Sequence, residues 1–176
     1  MTEPDLRALI RDIPDFPTHG IVFKDITPLL LDHVAVRSAV RRLADWAQPR
    51  AVDYVVAAEA RGFILGAPLA LQLDAGFVPA RKPGKLPSET VSAEYILEYG
   101  VDALEMHADA LADGARVLIH DDLLATGGTA RALAELVEGL GATVVGFAFL
   151  VELEFLEGRR RLEGYDVHAL ISYAAD

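Results

Sequence analysis

Residues 117–130 have the sequence VLIHDDLLATGGTA and join an apolar run to the start of an amphipathic pattern. Val117 to Ile119 is apolar in the way that a buried strand of a parallel sheet is apolar. The helical spacing i, i+3, i+4 and i+7 then recurs, at Leu133, Leu136, Val137 and Leu140. The stretch therefore predicts a strand, a glycine turn and a helix, which is the repeating unit of an α/β sheet.

The predicted turn has the composition of an anion site. Glycines allow the backbone to bend sharply and to approach a ligand closely, and threonine hydroxyls at a helix N-terminus add donors. Successive N–H groups in such a turn form a concavity that binds phosphate. The residues predicted to hold a phosphate are Ala125, Thr126, Gly127, Gly128 and Thr129. A Gly-Gly turn into a helix also occurs in α/β proteins without a ligand, and this alternative stays open here.

The acidic pair Asp121 and Asp122 precedes the turn, at the carboxyl end of the predicted strand, where open α/β sheets hold ligands. Carboxylates would repel a neighbouring phosphate unless one ligand bridges the two. A phosphorylated ribose does so, because its 2′ and 3′ hydroxyls donate to the acids while its 5′-phosphate lies in the turn. Two rival motifs do not fit, since no lysine follows the glycines as in a P-loop and the dinucleotide pattern G-x-G-x-x-G is absent here.

Composition limits the class of protein. The 176 residues are predicted to form one domain, 1–176, and a hydrophobic fraction of 52% excludes disorder. A net charge of -11 argues against a nucleic-acid partner. No apolar run reaches the length of a membrane span and the first residues lack the pattern of a signal peptide, so we expect a cytoplasmic protein without a membrane partner. Without cysteine, disulfides and thiolate metal sites are excluded.

The order of elements predicts an α/β fold with a central, mostly parallel, five-stranded sheet flanked by helices. An amphipathic helix is expected first, capped by Thr2 and carrying Leu6, Leu9, Ile10 and Ile13. Prolines and Gly20 break any regular element in residues 16–31, which we expect to cover a site. A second helix is expected from Asp32 to Gln48-Pro49. Strands are expected at 54–58, 76–80, 117–119, 143–151 and 167–173, with helices within 63–73 and ending near Gly141.

Residues 81–100, RKPGKLPSETVSAEYILEYG, are rich in proline, glycine and charge and contain two β-prone patches. A loop of this length is predicted to be a mobile lid, in part a hairpin. Arg81, Lys82 and Lys85 lie within five residues that carry no acid, so we expect a phosphate trap, with a solvated face as the alternative. By contrast, Arg159 to Arg161 lies among glutamates and is predicted to be a solvated helix face.

Four blocks resemble the adenine phosphoribosyltransferases of the type I phosphoribosyltransferase family: residues 16–30, 59–63 (EARGF), 81–100 and 117–130. The LEYG stretch at 97–100 separates this branch from the hypoxanthine-guanine and orotate enzymes. The resemblance implies the type I phosphoribosyltransferase fold, with an N-terminal hood (1–31) over the base and a flexible catalytic loop (81–100). It also implies a reaction, in which adenine displaces pyrophosphate from C1 of 5-phosphoribosyl pyrophosphate (PRPP) to give AMP through an oxocarbenium-like transition state.

The resemblance implies a role for each matching residue. Adenine is expected at Val22, Phe23 and Lys24, and ribose at Asp121 and Asp122. Magnesium is expected to bind mainly through PRPP, without a dedicated protein ligand. Glu98 and Arg61 are the expected catalytic residues, and a cis Glu59–Ala60 peptide is expected beside them. The residues expected to bind pyrophosphate are Glu59, Ala60, Arg61, Arg81, Lys82 and Lys85.

Several alternatives remain at this point. Arg61 could be a surface ion-pair partner, and Glu98 a solvated glutamate on a mobile loop. Family members are commonly homodimers, which implies that Arg81 reaches toward the neighbouring site. His19, Lys24 and His120 depart from the family pattern. Rival functions are transfer to another purine, a PRPP-sensing regulator without catalysis, and a plain nucleotide-binding module.

Overall fold

The N-terminal segment forms a two-stranded hairpin in the computed structural model, which describes residues 3–97 and 100–175. Strand β1 (Arg11–Pro14) pairs antiparallel with strand β2 (Val22–Asp25), after a 3-10 turn at Arg7–Leu9. The predicted N-terminal helix is therefore wrong beyond Leu9. The carboxylate of Asp5 accepts hydrogen bonds from the first N–H groups of the turn, and pairing with β2 then takes the backbone groups of residues 11–14.

Two helices follow the hairpin, α1 (Thr27–Leu31) and α2 (His33–Ala47). The expectation that residues 16–31 form no regular element is wrong, because this segment contains both β2 and α1. The start of α2 is confirmed, since the carboxylate of Asp32 accepts from the N–H groups of Val34 at 2.8 Å and of Ala35 at 3.2 Å.

The central sheet has five strands, all parallel, and confirms the predicted fold class. The strands are β3 (Tyr54–Ala58), β4 (Gly76–Ala80), β7 (Arg116–Leu124), β8 (Thr143–Leu153) and β9 (Val167–Tyr173). Their order across the sheet is β4-β3-β7-β8-β9. Helix α3 (Gly62–Gln72) connects β3 to β4, and helix α4 (Gly128–Gly139) connects β7 to β8.

The lid segment contains a second hairpin, β5 (Thr90–Leu97) with β6 (Gly100–His107), which extends past the predicted end of the lid. This hairpin packs against α4 on one face of the sheet, where Ile119 and Phe147 meet Leu133 and Met106. The opposite face of the sheet is covered by α2 and α3. Side chains alternate between the two faces because of the two-residue period of a strand. In the described part of the chain, no helix has the length and apolarity needed to cross a membrane.

Candidate active site

The carboxyl ends of three neighbouring strands bring most of the predicted site residues together. Asp121 and Asp122 lie in β7, residues 59–61 follow β3, and Arg81 follows β4 directly. Because β4, β3 and β7 are parallel neighbours, these ends lie at one edge of the sheet. Distant parts of the sequence thus converge on the turn between β7 and α4.

The turn of residues 125–129 has the backbone expected of an anion site. Gly127 has a φ of 81°, a left-handed conformation that favours glycine, and α4 begins at the next residue without a side-chain cap. The first N–H groups of α4 therefore remain available to a phosphate oxygen.

A glycine far along the chain supports this turn. A Cβ on Gly127 would lie 2.5 Å from the carbonyl oxygen of Gly158, and a Cβ on Gly158 would clash with the carbonyl oxygen of Ala125. The two backbones therefore approach each other more closely than any side chain permits. Sequence reasoning missed Gly158, whose one signal was a glycine at the start of the charged run 158–161.

Asp122 of the acidic pair is buried and Asp121 is half-buried. Asp122 is 6% exposed, and its N–H donates to Oδ1 of Asp121 at 2.9 Å. Burial, and next the negative charge of Asp122, raise the pKa of Asp121 well above its ordinary value. Burial also raises the pKa of Asp122, although the positive charge of Arg61 opposes this. Such a pair gains from hydroxyl donors, which the ribose of the predicted ligand would supply.

Arg61 lies between the acidic pair and the N-terminal hairpin. Its Nε is 2.7 Å from Oδ2 of Asp122, and its guanidinium carbon is 5.0 Å from the centroid of the Phe23 ring. Phe23 in turn packs edge-on against Phe16. Arg61 is therefore an ion-pair partner, but of a buried carboxylate within the site. Its predicted contact with pyrophosphate stays a prediction.

The two residues that flank Phe23 differ in the surroundings of their side chains. Val22 is 49% exposed. The Nζ of Lys24 is 2.7 Å from Asp12 and 4.1 Å from the centroid of the Tyr173 ring. The side chain of Lys24 thus joins the hairpin to the end of β9. Recognition of a base by residues 22–24 stays a prediction.

The fold surrounds the basic cluster with acids that lie far away in the sequence. Nε of Arg81 is 2.7 Å from Oε2 of Glu59, and the backbones of Arg81 and Glu105 exchange two hydrogen bonds, of 2.9 and 2.7 Å. Lys82 forms an ion pair with Asp102. Sequence reasoning missed Asp102 and Glu105 because tertiary pairing alone brings them to the cluster.

The lid is partly anchored. Residues 81–84 are fastened to β6, whereas the Lys85 side chain is exposed. Glu98, the predicted catalytic residue of the loop, lies outside the described residues. The Glu59–Ala60 peptide is cis, as the resemblance implied. Arg81 pairs within its own chain, and its contact with a second subunit stays a prediction.

The structure explains one departure from the family pattern. His120 is fully buried, with Nδ1 2.8 Å from the carbonyl oxygen of Ala148. Burial lowers its pKa to about 4, so the imidazole is neutral at pH 7 and donates this hydrogen bond. Among the described residues, Nε2 of His120 has no partner. His19 lies at the surface beside Asp15, with 2.8 Å between Nδ1 and Oδ1.

Arg159, Arg160 and Arg161 are exposed in a 3-10 helix (Gly158–Leu162), as predicted, but Arg159 is also an ion-pair partner of a buried carboxylate. Its guanidinium donates two hydrogen bonds, each of 2.7 Å, to the carboxylate of Glu152, which is 3% exposed. A third hydrogen bond reaches the carbonyl oxygen of Val167 at 2.9 Å. A buried carboxylate requires such a partner, and the linear sequence gave no sign that Glu152 would be buried.

Comparison with known proteins gives the class first. The sequence model of the family described as "Phosphoribosyl transferase domain" matches residues 29–170, which defines the chain as a phosphoribosyltransferase. The adenine phosphoribosyltransferase of Thermotoga maritima is 60% identical over 98% of this chain and 100% of its own length. The chain therefore belongs to the adenine phosphoribosyltransferase family, which confirms the family predicted from the sequence.

Solved structures agree in fold. The crystal structure of adenine phosphoribosyltransferase from Thermoanaerobacter pseudethanolicus superposes with a TM-score of 0.95 at 56% identity, covering 98% of this chain and 100% of that one. The enzyme from Saccharomyces cerevisiae, in complex with an imino-altritol bisphosphate and adenine, gives a TM-score of 0.89 at 40% identity, covering 94% of this chain and 96% of its own. The predicted fold is thereby confirmed.

Proposed function

We propose that this chain, as a single catalytic domain, transfers the 5-phosphoribosyl group of PRPP to adenine, forming AMP and pyrophosphate. One observation carries the proposal: the glycine turn and the acidic pair, in which Asp122 is buried and Asp121 half-buried, lie at the same end of β7, so that one phosphorylated ribose can occupy both. The Saccharomyces cerevisiae relative, whose structure contains adenine, supports the choice of base.

The acidic pair would act on the ribose. The ribose hydroxyls would donate hydrogen bonds to Asp121 and Asp122, and the 5′-phosphate would accept hydrogen bonds from the N–H groups of residues 125–129. As the bond to pyrophosphate breaks, positive charge develops at C1 and the ring oxygen. The carboxylates contact hydroxyls of the same ring and would stabilise that charge, as preorganised groups do in other oxocarbenium-like transition states.

Pyrophosphate would leave toward the cations of Arg61, Arg81, Lys82 and Lys85, beside the backbone of Glu59 and Ala60. Magnesium bound with PRPP would supply further positive charge to the leaving group. The residues present fit such an ion, because magnesium keeps several waters and needs few protein oxygens when phosphates supply ligands. Among the described residues no group of at least three histidines or carboxylates could hold a metal alone.

Adenine would lie beneath the N-terminal hairpin, against the ring of Phe23. Backbone N–H and C=O groups of Val22 and Lys24 would meet N1 and N6 of the base. Hypoxanthine and guanine present the opposite order of donor and acceptor on that edge, which leaves buried groups unpaired. Such mismatches lower kcat/KM for the wrong base by on the order of 10⁴-fold, which makes the site specific for adenine.

Glu98 would handle a proton as the new glycosidic bond forms, once the loop has closed. We expect Glu98→Gln to lower kcat by roughly 10² or more while PRPP binding stays near that of the wild type. Single-turnover kinetics measure this, and a chemical step that keeps its full rate would assign Glu98 to the solvated loop. We also propose that the enzyme acts in the cytoplasm as a homodimer, with Arg81 near the neighbouring site.

The test is to incubate the protein with PRPP, magnesium and one base at a time, and to measure nucleotide and pyrophosphate. We expect nucleotide, namely AMP, to form with adenine and with no other base. Comparable turnover of hypoxanthine or guanine would favour another purine as substrate. Binding of PRPP or AMP without turnover would favour the regulator or the nucleotide-binding module.

A further inference from the structure

Lys82 is held by a carboxylate that lies on a different element of the fold. Its ammonium group forms an ion pair with Oδ2 of Asp102, a residue of β6, and this hydrogen bond raises the pKa of Lys82 and lowers the pKa of Asp102. The side chain of Asp102 is 23% exposed, so the pair is partly withdrawn from water. Lys82 is thus a charged group already committed to a partner before any phosphate arrives.

Asp102 is fixed in place by its neighbours. The hydroxyl of Tyr95, its cross-strand partner in the hairpin, donates to the same Oδ2 at 3.2 Å. The N–H of Ala103 donates to Oδ1 at 2.9 Å. The segment that carries Lys82 is fastened to the same strand, because the N–H of Gly84 donates to Oε2 of Glu105 at 3.1 Å. Lys82 therefore faces a preformed acceptor.

The cluster of Lys82, Tyr95 and Asp102 lies beside the phosphate turn. Tyr95 lies in β5, which packs along α4, the helix that begins at the phosphate turn. A lysine at this place lies near the predicted PRPP site. A carboxylate at the same place repels the phosphates of PRPP.

We infer that Asp102 is a positioning residue that serves as an internal counter-ion for Lys82. The pyrophosphate group of PRPP must displace Asp102 in order to bind the Lys82 ammonium group. The inference rests on the proposed function, since it names the ligand of that site. Binding exchanges one anionic partner of Lys82 for another, so part of the attraction between Lys82 and pyrophosphate is spent on breaking the existing pair. Asp102 thus weakens PRPP binding.

The experiment is the variant Asp102→Asn, which keeps the shape and removes the charge. We expect the KM for PRPP to fall roughly two- to fivefold, the range of a partly exposed ion pair. The KM for adenine should not change, and the effect should shrink at high salt. In a Lys82→Met background, Asp102→Asn should leave the KM for PRPP unchanged. A purely structural role would not produce this dependence on Lys82.

The matched control is Glu94→Gln, which removes an exposed carboxylate from β5 of the same hairpin, opposite Ala103. An equal fall in KM for Glu94→Gln, a fall that persists with Lys82→Met, or an unchanged or raised KM for Asp102→Asn would each overturn the inference. Asp102→Ala serves as the second variant if Asp102→Asn does not fold. Calorimetry measures the binding of magnesium pyrophosphate to the same proteins and does not depend on catalysis. If the wild type makes no AMP, the proposed function is contradicted. The comparison of pyrophosphate binding between wild type and Asp102→Asn still decides the role of Asp102.

Discussion

Arg61 and Asp122 form an ion pair, with 2.7 Å between Nε and Oδ2, at the place where the ribose is proposed to lie. Asp122 is almost fully buried, whereas Arg61 is 43% exposed and extends toward Phe23. The arginine thus bridges the acidic pair and the hairpin that is proposed to cover the base. The ribose hydroxyls of the proposed substrate would approach the same carboxylate, so Asp122 would be shared between Arg61 and the substrate.

Arg61→Ala should lower kcat/KM for PRPP by roughly 10²-fold, because the developing charge on pyrophosphate loses a cation. It should also lower the Tm, since it leaves a buried carboxylate without its partner. Steady-state kinetics and thermal melts measure the two effects. Arg131→Ala is the control, as Arg131 pairs with Glu135 on the exposed face of α4. Equal losses in both variants would mean that the Arg61 pair is an ordinary surface ion pair.

Asp121→Asn should raise the Tm at pH 7 while weakening PRPP binding. The raised pKa of Asp121 means that ionisation costs the folded state more than the unfolded state, where the pKa is about 3.9. The contribution of protonated Asp121 to the free energy of unfolding is therefore fully present below about pH 3.9, the pKa in the unfolded state, and is lost as the pH rises. The gain from Asn should therefore shrink as the pH falls toward 4. Thermal melts across this range measure it, with the exposed Asp109→Asn as control; a Tm gain that does not depend on pH would contradict the assignment.

His120→Leu should make the free energy of unfolding less sensitive to acid. The pKa of His120 is about 4 in the folded protein and about 6.5 when unfolded, so its contribution is present above pH 6.5 and is lost as the pH falls toward 4. The slope from this one group approaches roughly 1.4 kcal/mol per pH unit between those values. Urea unfolding at pH 7, 6 and 5 measures it, with the exposed His33→Gln as control. An unchanged slope in His120→Leu would show that His120 is protonated in the folded protein.

Gly158→Ala should raise the KM for PRPP several-fold or more, although Gly158 touches no substrate in the proposed mechanism. Its Cβ would clash with the carbonyl oxygen of Ala125 and lie 2.9 Å from a methyl carbon of Leu124, so the phosphate turn must shift. A displacement of about 1 Å at a binding turn costs on the order of 10²-fold in activity. The control is Gly139→Ala in α4, where a Cβ meets nothing within 4 Å. Equal PRPP kinetics in the two variants would contradict the support role of Gly158.

The sequence by itself determined the sheet, the turn and the family. Strands and helices from Asp32 onward follow from apolar runs and helical spacing. The acidic pair and the glycine turn lie within one short stretch, residues 121–129. These features are local, so the sequence order carries them. Within residues 3–31 local reasoning failed, because pairing between β1 and β2 overrode the helical spacing of Leu6 to Ile13.

Only the tertiary structure decided which charges meet. Lys82 meets Asp102 because Arg81 pairs with Glu105 of β6. Arg159 meets Glu152 because the chain turns back after β8. Close contact between the backbones of Gly158 and Ala125 likewise follows from the pairing of β7 with β8. The same is true of the neutral His120, since its pKa depends on burial that the chain position does not reveal. Electrostatic energies and close backbone contacts depend on distances in space, and a one-dimensional pattern fixes those distances only for neighbours along one strand or helix.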